Sequence, residues 1–145
     1  MFDVENMPGI LKARREALEL SAQDVARMVG ISSAAYFDLE TFAADFRQAV
    51  SLDKIILLSK VLKEEAIARF HDSENADGRK VLLNDLPGLI LTQLNESGMS
   101  FSEFSTRVGY DLSSDGLTNE DVLNWNLDCL FLVCEELGVS EILLR

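Results

Sequence analysis

This sequence predicts an all-α fold made of two packed bundles of short helices, and three observations carry the prediction. Apolar residues recur at helical spacing, as in Leu52, Ile55, Ile56, Ser59 and Leu62. Helix-start residues stand just ahead of such runs, Ser21 and Ser51 in the first half and Ser100 in the second. The pattern is also written twice along the chain. Asn6-Met7-Pro8-Gly9-Ile10-Leu11 returns as Asp85-Leu86-Pro87-Gly88-Leu89-Ile90, and Leu20-Ser21 returns as Met99-Ser100. Val29-Gly30 returns as Val108-Gly109, and Leu52-Asp53 through Leu62 returns as Leu127-Asp128 through Leu137.

The elements follow in order. Pro8 opens a first helix, because its missing N–H would have no partner in a first turn. Ser21 caps a second helix, and Asp24 at its third position suits both a back-reaching carboxylate and the helix dipole. Gly30 ends that helix in the left-handed conformation that glycine adopts at least cost. A third helix begins near Ser33, and Ser51 caps the fifth. In the second half Ser100, Glu103 and Gly109 repeat the signals of the second helix, while Thr118 with Asp121 forms a capping box. Residues 1–70 therefore read as one bundle, 71–80 as a polar surface linker running from His71 to Arg79, and 81–145 as an eroded second bundle.

Composition sets bounds on function. A chain of 145 residues with 48% hydrophobic content can bury a real core, about two thirds of its unfolded surface. The runs Ile55–Leu58 and Cys129–Cys134 are far shorter than the roughly 20 residues of a membrane span. Met1–Gly9 holds Asp3 and Glu5 and no basic start, so no secretory signal is expected and the reading is cytoplasmic. Cys129 and Cys134 read as buried small hydrophobes, and the single histidine excludes a histidine-rich metal site. No enzyme is expected. Neither a phosphate-cradling glycine loop nor a nucleophile–base constellation is present, and no cofactor or metal is implied. Asp111–Gly116 starts like a calcium loop, but Val122 stands where the bidentate glutamate belongs.

Leu20-Ser21, Val25-Ala26, Val29-Gly30-Ile31-Ser32 and Leu39-Glu40, with Arg15 six residues before the cap, resemble the XRE or Cro-repressor type of helix-turn-helix. The resemblance covers about residues 8–62, with a degenerate second copy over about 84–145. It implies a tandem helix-turn-helix arrangement of lambda-repressor-like bundles, in which Arg15 and Glu40 form a structural ion pair. It also implies recognition of DNA from the start of the third helix. There the family carries Gln, Arg, Lys or Asn, and this chain has Ser33, Ala34, Phe37 and Asp38. From Ser32 to Phe46 there are three acids and no lysine or arginine, so the counterion release that drives duplex binding is largely forfeited.

Charge points the same way. Basic residues number 13 against 25 acidic, net −12, with −3 in residues 1–72 and −9 in residues 73–145. Such a surface attracts basic partners and repels phosphate. The expected function is thus a non-enzymatic protein that binds a basic protein, of antitoxin or immunity type, through Phe37, Asp38, Phe42, Asp45 and Phe46. The alternative is a DNA-binding transcriptional regulator. It would use Gln23, Ser32, Ser33 and Asp38 near the bases and Lys12, Arg14 and Arg47 on phosphates. A homodimer is left open by both readings.

Overall fold

Helices make up most of the computed structural model, which describes residues 5–63, 66–72, 75–96, 98, 100–108, 118–137 and 139–144. The first half runs α1 (Met7–Ala17), α2 (Ala22–Val29), α3 (Ser33–Leu39), α4 (Ala43–Gln48) and α5 (Leu52–Val61). Two strands follow, β1 (Ala66–Asp72) and β2 (Asn75–Leu82), then a single 3-10 turn, Leu83–Asp85. The second half runs α6 (Leu86–Glu96), α7 (Phe101–Val108), α8 (Asn119–Leu123) and α9 (Leu127–Leu137), and ends in β3 (Val139–Leu144).

Local chemistry sets the helix starts. Ser21 accepts from the Asp24 N–H at 3.0 Å while the Ser21 N–H donates to the Asp24 carboxylate at 3.2 Å, a reciprocal cap. Thr118 and Asp121 repeat it at the head of α8. The Ser100 hydroxyl accepts from the Glu103 N–H at 3.1 Å. Ser51 departs from expectation: it stands at the head of α5 but its hydroxyl donates to the Asp53 carboxylate instead of capping a backbone N–H. Gly30 ends α2 at φ 83°, where the Gly30 and Ile31 N–H groups both donate to the Ala26 carbonyl.

Strict all-α architecture is corrected by a three-stranded antiparallel sheet of order β2-β1-β3. The linker expected at 71–80 lies mostly within the β1–β2 hairpin, whose two strands are separated only by Ser73 and Glu74. What the polar, turn-rich composition there does not register is the antiparallel pairing of Ile67 with Leu82, Ala68 with Val81 and Phe70 with Arg79. β3 joins from the far end of the chain, pairing Ala66 with Leu144, Ile67 with Leu143, Ala68 with Ile142 and Arg69 with Glu141.

A single cluster of buried residues spans both halves, from Met7, Leu11, Tyr36 and Phe46 to Ile90, Phe104, Val122 and Leu130. At the seam the Leu52 N–H donates to the Trp125 carbonyl at 2.8 Å, and Ser51 bridges antiparallel to Asn126. Asn126 serves twice there. Its side-chain amide donates to the Gln48 carbonyl at 3.2 Å and its side-chain oxygen accepts from the Cys129 N–H at 2.9 Å. Gly109 and the segment Asp111–Gly116 lie outside the described residues, as does the Cys134 side chain.

Repetition is visible in length as well as sequence. α1 and α6 each have 11 residues and α2 and α7 each have 8. Glu19 and Gly98, which follow the first helix of each half at matching places, share a left-handed backbone with φ 56° and 67°.

Candidate functional site

The segment from Gly30 to Ser51 builds the site. Ser32 heads α3, its hydroxyl accepting from the Ala35 N–H at 3.1 Å. Seven residues give α3 two inward positions, Tyr36 and Leu39, both buried, and the opposite side is left to water. On that outer side Ser32, Ser33, Ala34 and Ala35 are exposed, and Phe37 is 61% exposed. The chain then turns tightly: the Thr41 hydroxyl donates to the Phe37 carbonyl and the Phe42 N–H to the Asp38 carbonyl, each at 2.8 Å. That turn presents Phe42, 54% exposed, at the head of α4. Met28, near the end of α2, is exposed as well.

Phe46 is a correction to the expected contact set. It is 2% exposed and belongs to the core, because α4 has six residues and only one of its sides can face the other helices. The aromatic patch is thus Phe37 and Phe42.

Beside it lies a cleft of about 360 Å³ between α3, α4 and the head of α5. Leu39 and Val50 line it with apolar surface, and Asp38, Asp45, Ser51 and Lys54 supply its polar groups. Lys54 is tied down, its ammonium donating to the Val29 carbonyl at 3.3 Å and so closing the C-terminal end of α2. Two carboxylates against one cation leave the cleft negative. Sequence reasoning found Asp38 and Asp45 but missed Lys54 and Ser51. Both sit in the first turn of α5 or just before it, and only the crossing of α5 behind the Gly30 turn brings them to this cleft.

Arg15 and Glu40 form the expected ion pair, with Arg15 Nε 2.5 Å and Nη2 3.0 Å from the two carboxylate oxygens, a bidentate clasp. Nη1 of Arg15 also donates to the Leu20 carbonyl at 3.0 Å. Burial pushes the Glu40 carboxyl up, but the Arg15 hydrogen bond and the neighbouring Tyr36 outweigh it and hold Glu40 below its ordinary value. The Glu40 hydrogen bond raises Arg15 in turn. Tyr36 is raised, mainly by burial. The clasp ties α1 to Glu40 at the end of α3.

Two of the three cations expected on phosphate, Arg14 and Arg47, are engaged by other parts of the fold. Arg14 donates from Nε to the Leu62 carbonyl at 3.0 Å and from Nη2 to the Lys63 carbonyl at 3.3 Å, closing the end of α5. Arg47 points its Nε at Asp128 of α9, 3.7 Å away. Arg27 pairs with Asp24 at 3.0 Å. Lys12 and Gln23 are exposed, as are Ser32 and Ser33. Cys129 is buried, which pushes its thiol up to about 11 and keeps it protonated at neutral pH. Among the described residues no group of three or more His, Cys, Asp or Glu could hold a metal ion, and no helix is long and apolar enough to cross a membrane. Compared with known proteins, the chain matches no family model, no curated protein and no solved structure.

Proposed function

We propose that this is a non-enzymatic protein-binding module of helix-turn-helix type, tandem in arrangement, whose α3–α4 face receives a basic protein. The observation that carries the reading is the pairing of two exposed phenyl rings, Phe37 and Phe42, with a negative cleft holding Asp38 and Asp45. Aromatic anchors rimmed by charge of one sign suit a protein hot spot. An arginine or lysine of the partner would enter the cleft while apolar groups cover the rings. The net charge of −12 would steer such a partner from a distance. An antitoxin or immunity role, shielding a nucleic-acid-binding surface on the partner, fits that charge.

A photo-crosslinking amino acid placed at position 37 in living cells tests the proposal. The expected adduct is a protein of net positive charge, lost in the Asp38→Asn/Asp45→Asn variant, which keeps the cleft's shape without its charge. Adducts with DNA alone, or protein adducts indifferent to both substitutions, would refute it.

The second reading, a DNA-binding regulator, is favoured by one feature: Gln23 in the first turn of α2 and Ser32 and Ser33 at the head of α3 are all exposed. A protein using that surface should shift duplex DNA below about micromolar concentration at low salt.

A further inference from the structure

The spacing that aligns α5 with α9 also governs how the two halves touch. A step of 75 residues carries Ala66 to Glu141 and Leu144 back to Arg69, and those two are themselves a pair. The same step turns the pair Ile67–Leu143 into Ile142–Ala68. Ser51 bridges to Asn126, which is its own counterpart under this step. Helix contacts obey the same exchange: α4 packs on α9, and α8, the counterpart of α4, packs on α5. Reciprocity of this kind, i touching j and j touching i, is the signature of an isologous two-fold interface. Two unlike domains of one chain have no reason to meet this way.

We infer that the second half occupies the self-association face of the first, so that the chain is a fused dimer, works as a monomer, and keeps the α3 face built on Phe37 and Phe42 clear of the seam. The inference is independent of what that face binds. Small asymmetries at the seam favour the in-chain partner over a second molecule. Asn126 reaches the Gln48 carbonyl with its amide, whereas its counterpart Ser51 has a hydroxyl committed to Asp53. Arg47 faces Asp128 across the seam, while the residue 75 positions after Arg47 is the buried Val122. Two first halves meeting each other would set Ser51 on Ser51 and lose the amide bond to Gln48. The seam has thus become specific for unlike halves.

Sedimentation of the full chain from about 1 to 300 µM tests this, alongside an Asn126→Arg variant and a Ser51→Cys/Asn126→Cys pair in a Cys129→Ser/Cys134→Ser background. An antiparallel bridge brings Cα atoms to about 4.5–5.5 Å, within disulfide reach. The wild-type chain should sediment as a single 16.1 kDa species throughout. The oxidised cysteine pair should close within one chain, and the Asn126→Arg wedge should loosen the seam and produce dimers that exchange halves at high concentration. Reversible dimerisation of the wild-type chain, or cysteine crosslinks joining two chains, would overturn the inference. If the wedge variant fails to fold, the cysteine pair and the wild-type sedimentation decide by themselves.

Discussion

Replacing Arg15 with alanine removes three hydrogen bonds at once, two to Glu40 and one to the Leu20 carbonyl. The Arg15 side chain is 14% exposed and that of Glu40 7%, so water can replace little of what is lost and the Glu40 carboxylate loses the cation that clasps it. Breaking one side of a fully buried pair costs about 3–5 kcal/mol, and the residual exposure lowers the expected loss here to about 2–3 kcal/mol. The double variant Arg15→Leu/Glu40→Leu should cost less than the sum of the single ones, because both charges leave together. The second half already shows the apolar solution, with the buried Leu94 at the place matching Arg15. The pair also has a pH signature. Glu40 is held below its ordinary value in the fold, so the stabilisation is full above the ordinary carboxylate range and drains away as pH falls through the lowered value. Urea unfolding over a series of pH values from 7 downward measures both effects: the wild-type chain and Arg15→Ala should differ by the stated amount at neutral pH, and the difference should shrink once pH has fallen through the lowered Glu40 value. A difference under about 0.5 kcal/mol at pH 7, typical of a surface site, or one that grows as pH falls, would refute the reasoning.

Three further outcomes are expected. Phe46→Ala should destabilise by about 3–5 kcal/mol in urea unfolding through the cavity it leaves, while Phe37→Ala should change stability by no more than about 0.5 kcal/mol, since the first ring is buried and the second faces solvent. Gly30→Ala should cost about 1–2 kcal/mol because a side chain must adopt left-handed backbone there, and the same denaturation series reads it. Glu19→Gly, which restores the residue found at the matching Gly98, should be neutral to stabilising by up to about 1 kcal/mol.

Where a fold-determining interaction is local or carried by one residue type, it was legible in the sequence. The Ser21–Asp24 and Thr118–Asp121 caps lie within four residues, and Gly30 could end a helix in few other ways. The internal repeat placed α6 and α7 from α1 and α2. The sheet was not legible, since β1 finds its partner β3 about 75 residues away and neither strand alternates cleanly enough to announce itself. Within the candidate site, Phe37, Phe42 and Phe46 read alike in the sequence, and the burial of Phe46 was not legible because a six-residue helix carries too little periodicity to show which side is inward. Charge composition gave the right count of cations near α3 but not their engagement. Arg14 looked available for phosphate until the end of α5 proved to be its partner.

Competition at the α3–α4 face tests the central claim most directly. The basic protein captured at position 37 is titrated against the full chain at low and high salt, with a duplex DNA competitor present or absent. The predicted result is binding that salt weakens, that Asp38→Asn/Asp45→Asn weakens at least tenfold, and that duplex DNA leaves untouched. Displacement by DNA at submicromolar concentration, or affinity unchanged without the two carboxylates, would contradict it.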